Sequence, residues 1–330
     1  MNSVSSIRKS CVIGVALASL LITCWSGISS AQEKYPSRNI DLVIVFNPGG
    51  TTDTVARVFA DELTKVLNVP IIPINKAGAS GTIGAAFVAQ AKKDGYTLLA
   101  GAGSGMSLAP LVLPNVPFKT LRDFVPIGII ATSPIVIYVK NDSPLKSFED
   151  LIDNARKNPD KLTYGDPGTG SDGNFFMEQL QMVAKAKFSH VPFKGGGEVM
   201  PAVMGGHIDL GVSTMAGISN QLRAGALRVL ILSQEKRVGA FPDIPAITEK
   251  GYKGYFITHW TGLLAPAGIS QSAVNTLFSA YDKVTQSKNY IKRIEDLGCG
   301  VRNLGLEEFK KFLEEEEKVA ESIARQMKKK

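Results

Sequence analysis

The chain alternates short apolar runs with amphipathic stretches, the pattern of buried strands followed by surface helices. Residues 40–46 (IDLVIVF) are almost continuously apolar, as expected of a strand covered on both faces, and Gly49-Gly50 ends the run. From Thr52 to about Leu67, the residues Val55, Ala56, Phe59, Leu63 and Leu67 recur at helical spacing on one face. Residues 70–74 then read as a strand, 81–92 as a helix and 96–100 as a third strand. This repeated strand-helix-strand unit predicts a parallel sheet with right-handed crossovers.

Further strands are expected at 125–130 and 135–139, and Asn141-Asp142-Ser143-Pro144 reads as a crossing into a second domain. There, Ser147 caps a helix running to about Lys157, and alternation resumes with strands at 163–164, 188–191, 208–212 and 227–232 and a helix at 171–184. Phe241-Pro242-Asp243-Ile244-Pro245 is a loop, residues 256–264 carry the chain back, and helices at 270–286, 288–297 and 307–327 complete the first domain. The expected organisation is residues 32–140 with 257–330 as one discontinuous domain and 141–256 as the other, hinged near 139–143 and 254–258. Trp260 is expected at their junction.

The N-terminus changes the picture. Arg8 and Lys9 precede an apolar stretch of about a dozen residues, short of the ~20 that a membrane span needs. Ser29-Ser30-Ala31 fits cleavage before Gln32, so residues 1–31 read as a signal peptide; an uncleaved anchor and a lipoprotein at Cys24 are the alternatives. Of the 3 cysteines, Cys11 and Cys24 leave with the signal. Cys299 alone makes neither an internal disulfide nor a multi-cysteine metal site. The formal charge is +7, with Arg8 and Lys9 contributing two of it, and no basic stripe interleaves with aromatics as nucleic-acid binding would require.

Two loops carry candidate chemistry. Phe46-Asn47-Pro48-Gly49-Gly50-Thr51-Thr52-Asp53 lies between a strand and a helix N-terminus, where glycine admits close backbone approach and the first-turn N–H groups and the helix dipole favour an anion. It is neither a P-loop nor GxGxxG. Gly165-Asp166-Pro167-Gly168-Thr169-Gly170-Ser171 repeats the arrangement in the second domain. Two such loops on two domains can face each other across a cleft, although Gly-rich strand-to-helix turns also serve simply to reverse the chain.

The chain as a whole resembles the solute receptors of tripartite tricarboxylate transporters, the Bug or TctC-like family, from Tyr35 to about Glu321. The resemblance rests on Tyr35-Pro36-Ser37-Arg38, Gly49-Gly50-Thr51-Thr52-Asp53, Asn75-Lys76-Ala77-Gly78-Ala79-Ser80-Gly81, Lys93-Asp94-Gly95-Tyr96-Thr97-Leu98-Leu99, His190-Val191-Pro192-Phe193-Lys194-Gly195-Gly196, Gly205-Gly206-His207-Ile208-Asp209-Leu210 and Phe241-Pro242-Asp243-Ile244-Pro245. It implies a type II periplasmic-binding-protein-like α/β fold: two doubly wound domains, two crossovers and a ligand cleft between them. It further implies a periplasmic receptor, not an enzyme, that captures a small carboxylate (a di- or tricarboxylate, or an aromatic or apolar acid), closes on it and docks on integral membrane transporter subunits. No cofactor, metal or nucleic acid is expected, and a monomer is. A ligand-sensing receptor for a signalling partner is the alternative, and a cleft enzyme a weaker one.

Carried onto this chain, the resemblance points to Gly49, Gly50, Thr51 and Thr52, to Thr169, Gly170 and Ser171, to Ser104 as a polar contact and to Phe46 as an apolar wall. Asp166 and Ser213 depart from the family pattern. A small residue is usual at 166, and Asp166 either enters the cleft or faces solvent and shapes the turn. An aspartate is frequent at 213, and its replacement by Ser213 removes a partner for a ligand amine, which points to a plain carboxylate rather than an amino acid.

The remaining chemistry-bearing residues read as structural. His190, His207 and His259 lack metal-ligand spacing, Cys299 sits between glycines with no nucleophile signature, and Asp53 belongs to the first helical turn. Lys194 reads equally as an anion contact or a surface residue.

Overall fold

The computed structural model describes residues 35–193, 196–253 and 256–328; the signal-peptide and Cys24 readings and Lys194 lie outside them. Two five-stranded sheets organise the chain. The first begins with β1 (Ile40–Ile44), α1 (Thr51–Leu67), β2 (Ile71–Asn75), α2 (Thr82–Ala89) and β3 (Thr97–Ala102). A π-helical turn (Ser104–Leu108), α3 (Ala109–Val112) and α4 (Thr120–Asp123) lead into β4 (Phe124–Ser133).

The second sheet is built from β5 (Ile135–Lys140), α5 (Phe148–Lys157), β6 (Thr163–Asp166), α6 (Asp172–Ala184), β7 (Ser189–Pro192), α7 (Gly196–Met204), β8 (Leu210–Thr214), α8 (Met215–Arg223) and β9 (Leu227–Leu232). The chain then returns through β10 (His259–Pro266) to the first sheet and ends with α9 (Gln271–Thr285), α10 (Lys288–Asp296) and α11 (Leu306–Met327). Ser147 caps α5 as expected: its Oγ accepts from Asp150 N–H at 3.1 Å, and the Asp150 carboxylate accepts from Ser147 N–H at 3.0 Å.

The sheets share one plan. The first runs β2-β1-β3-β10-β4 and the second β7-β6-β8-β5-β9. Three strands in each are parallel, but β10 is antiparallel to β3 and β4, and β5 is antiparallel to β8 and β9. The sheets are therefore mixed, where strand-helix alternation alone predicts parallel pairing. The reason is that each antiparallel strand enters from the other lobe and not through a helix crossing over from a strand of its own sheet.

A second correction follows from pairing. β5 belongs wholly to the second sheet, so the chain changes sheets at Pro134 and not at residues 141–144. Asn141-Asp142-Ser143-Pro144 forms the turn after β5, with Ser143 N–H donating to Lys140 O at 3.0 Å. Helices α7 and α8 escape the hydrophobic pattern; α7 opens on glycines and carries Pro201 inside it, which masks its periodicity.

Each lobe buries its own core. In the first, Val43, Leu99, Ile129, Trp260, Phe309 and Leu313 pack together; in the second, Ile137, Tyr164, Phe176, Leu180 and Val212 do so on one sheet face. Trp260 lies fully buried in β10, its indole N–H donating to both carboxylate oxygens of Glu316 at 2.9 Å and its ring edge-on to Phe309. A smaller cluster joins the lobes: Phe175 of α6 packs with Leu108, Ile257, Ala320, Ile323 and Ala324, the last three on α11. Helix α11 thus lies against both lobes.

Candidate ligand-binding site

Parallel pairing of β1 with β3 places the loops after both strands on one sheet edge, and β6 with β8 does the same in the second lobe. Because β10 runs the other way, its first residue, His259, stands on that same edge. The two edges touch. Thr51 Oγ1 lies 2.7 Å from Thr214 Oγ1, and Ser80 Oγ donates to Thr169 O at 3.0 Å. A Cβ on Gly170 would stand 3.1 Å from Ala109 Cα, and Gly170 has φ +83°, so the approach of the lobes and the local backbone both call for glycine.

The first loop ends in an open helix terminus. Gly50 is the N-cap of α1 and supplies no capping side chain, so the N–H groups of Thr51, Thr52 and Asp53 find no partner within the helix. Asp53 is almost fully buried yet does not cap. Its carboxylate accepts from Gly49 N–H at 3.0 Å, from Asn75 Nδ2 at 2.8 Å and from Arg57 Nε at 3.0 Å. Burial alone would raise its pKa, but the Arg57 and Asn75 hydrogen bonds outweigh it and hold the carboxyl below its ordinary value. Arg57 offsets the charge of Asp53, so this pair does not cancel the positive end of the helix dipole. The Gly49 N–H is the exception, already committed to Asp53. Phe46 packs partly into the first core and its carbonyl accepts from Asn75 Nδ2 at 2.8 Å.

The second loop is closed upon itself. Ser171 caps α6 by accepting from Asn174 N–H at 3.1 Å, the Asn174 side-chain oxygen accepts from Gly170 N–H at 3.2 Å, and Gly168 N–H donates to Asp166 at 2.7 Å. Asp166 is 0% exposed, so it does not face solvent; it shapes the turn from inside by accepting from Gly168 N–H two residues on. Burial raises its pKa, and the His190 imidazole, with Nε2 2.9 Å from Oδ2, counters in part. The His190 ring stacks on Tyr164 at 4.8 Å. Asp166 thus braces the loop from beneath. Ser171 is buried with its hydroxyl spent on the cap, and Thr169 is exposed with its carbonyl spent on Ser80.

Ser104 follows β3 at the start of the π-helical turn, 1% exposed, and its hydroxyl has no hydrogen-bond partner. Ser213 is half-buried near the end of β8, with its hydroxyl 3.5 Å from where a Cβ on Gly196 would lie. His259, expected to be structural, and Asp172, which the sequence does not single out, meet behind the two loops. His259 Nδ1 contacts the Asp172 carboxylate at 2.6 Å, and His259 Nε2 lies 3.3 Å from the hydroxyls of both Thr52 and Thr261. Nothing in the sequence signals this, because the partners are distant in the chain. Cys299 is buried, which pushes its thiol up to about 12, so it is not a poised nucleophile. Among the described residues no cluster of three metal-ligating side chains occurs, and no helix is long and apolar enough to cross a membrane.

Two mixed α/β lobes with a cleft between them have the architecture of periplasmic solute-binding proteins. Comparison with known proteins narrows that class. Residues 55–328 match the model of the tripartite tricarboxylate transporter family receptor, TctC, and the chain belongs to that family. Protein BugT of Bordetella pertussis is 29% identical over 295 residues, covering 88% of this chain and 89% of BugT. Among solved structures, Rpa4515 of R. palustris with adipate superposes at TM-score 0.83 with 28% identity, covering 88% of this chain and 97% of that one. MatC of Rhodopseudomonas palustris with bound malate superposes at 0.81 with 28% identity, covering 88% and 100%.

Proposed function

We propose that this chain is an extracytoplasmic receptor that captures a small carboxylate on the open N-terminus of α1, closes its two lobes over it and delivers it to the membrane subunits of a tripartite tricarboxylate-type transporter. The observation that carries this reading is the Gly50 N-cap. The N-terminus of a 17-residue helix, with no side chain on its first N–H groups and its nearby Asp53 matched by Arg57, supports an anion there. Family membership and the adipate and malate held by similar proteins support the same ligand class.

One carboxylate of the ligand sits on α1, with Ser104 offering its unused hydroxyl. The self-satisfied second loop meets the rest of the molecule through shape and through Thr169, Gly170 and Ser213 rather than through a second open helix end. The absence of an acidic side chain at Ser213 favours a plain acid over an amino acid. Sheet membership supports lobes divided at Pro134 and just before His259, which are then the hinges. Removal of residues 1–31 places the mature chain in the periplasm, where it acts as a monomer.

A thermal-shift screen of residues 32–330 against adipate, malate, citrate, benzoate, aspartate and glutamate tests this. A carboxylate at 100 times its Kd stabilises by about 2.7 kcal/mol, a rise of a few degrees for a chain of this size. No shift with any acid would overturn the carboxylate reading, and a larger shift with aspartate or glutamate than with adipate or malate would overturn the plain-acid part of it.

A further inference from the structure

The two ligand loops are joined behind the cleft by a buried polar relay. Thr52, the second residue of α1, is 2% exposed; Thr261 is 1%, His259 4% and Asp172, the first residue of α6, 7%. The relay runs from Asp172 Oδ2 through the imidazole of His259 to the hydroxyls of Thr52 and Thr261. A carboxylate only accepts, so the His259 Nδ1 carries its proton and donates to Asp172. Nε2 then accepts from the threonine hydroxyls when the ring is neutral and donates to them when it is charged; a hydroxyl serves either way. The relay therefore keeps its geometry in both states of the ring.

Its position gives it a role beyond packing. His259 opens β10, the strand by which the chain returns to the first lobe, and pairs with Ser133, the last residue before the outgoing hinge at Pro134. Thr52 and Asp172 each lie within two residues of a loop that edges the cleft, and they belong to different lobes. One imidazole at the hinge thus sets the distance between the starts of α1 and α6. We infer that His259 is a positioning residue that couples the two ligand loops, so that the order of one loop depends on the other through the Thr52–His259–Asp172 relay. This deepens the closure reading above and rests on it.

Hydrogen exchange of the ligand-free mature chain, followed peptide by peptide, tests the coupling without any ligand, so an error in ligand class leaves the test intact. The decisive substitutions are crossed. T52V removes a hydroxyl in the first lobe at nearly constant volume, and D172A removes the acceptor in the second. Losing one link of a buried charged network corresponds to a change of about five- to tenfold in local opening. T52V is expected to accelerate exchange in residues 167–175 by that factor, although Thr52 has no bond to that loop. D172A is expected to accelerate residues 46–54 to a similar extent. T52S, which restores the hydroxyl, and D172N, which restores an acceptor, should return exchange toward the wild type. Unchanged protection in the opposite loop for both T52V and D172A overturns the proposal. So does acceleration spread evenly through both lobes, or acceleration that T52S and D172N fail to reverse, since both mark a general loss of stability.

Discussion

The two cleft loops look alike in sequence and differ in what they leave unsatisfied. Gly49-Gly50-Thr51-Thr52 and Gly168-Thr169-Gly170-Ser171 each place glycines between a strand and a helix. In the first, the N-cap is Gly50 and no side chain covers α1. In the second, the N-cap is Ser171, and Asn174 and Asp166 take up the N–H groups of Gly170 and Gly168. A loop that satisfies itself is stable without a ligand; a loop left open gains from one. The difference at the N-cap is why the proposed site puts the anion on the first lobe and gives the second a framing role.

That comparison can be broken most directly at Gly50. Its φ of −78° and ψ of 170° suit any residue, and a Cβ there would have Asn47 O at 3.7 Å as its nearest neighbour. G50D therefore supplies the missing cap together with a like charge. Titration calorimetry with whichever carboxylate the screen finds should show roughly 10- to 100-fold weaker binding, while the midpoint of thermal unfolding rises. Unchanged affinity would mean that the anion sits elsewhere.

A smaller effect is expected at Asp53, which shapes the open loop without capping it. D53N should lose about 1–2 kcal/mol of stability at neutral pH through weakened bonds to Arg57 and Gly49. The folded carboxyl is held below its ordinary 3.8, so its contribution is present in full above that pH and is lost as pH falls through the lowered value. Denaturation of wild type and D53N at a series of pH values should therefore show the gap closing below pH 3.8. The smallest change sharpens the contrast: S171A removes the cap of α6 and should cost about 1 kcal/mol in urea unfolding while leaving carboxylate affinity within about twofold. A large loss of affinity instead would return the second loop to direct anion binding.

Much of this architecture is legible in the residues. Apolar runs such as 40–46 and 227–232 mark strands without ambiguity, and Ser147, Ser171 and Ser270 mark helix starts that the structure caps through those side chains. The sheet change at Pro134 is not legible: Ser133-Pro134 separates the strands 125–130 and 135–139 by a break too short to read as a crossing between domains, whereas the turn-rich segment 141–144 draws attention. Both cleft loops are visible as glycine-rich turns, but their inequality is not: whether an N–H is free depends on side chains such as Asp166 and Asn174, whose direction no periodicity reveals. The His259 relay is hidden for a related reason, since Asp172 and Thr52 meet that ring only after both lobes have formed.

The placement of β10 also fixes an order of assembly. Every strand of the second sheet lies between residues 135 and 232, and Ile247 and Phe256 complete its core, so that lobe can close before β10 is made. The first sheet cannot: until residues 259–266 are made, β3 and β4 lack the neighbour that belongs between them, and two bare strand edges await it. The finished second lobe brings Pro134 and the start of β10 near one another, which shortens the loop that must close and lowers its entropic cost. The lobe inserted into the chain thus templates the lobe that surrounds it, and a chain cut before residue 259 is expected to hold one folded half and one open, aggregation-prone sheet.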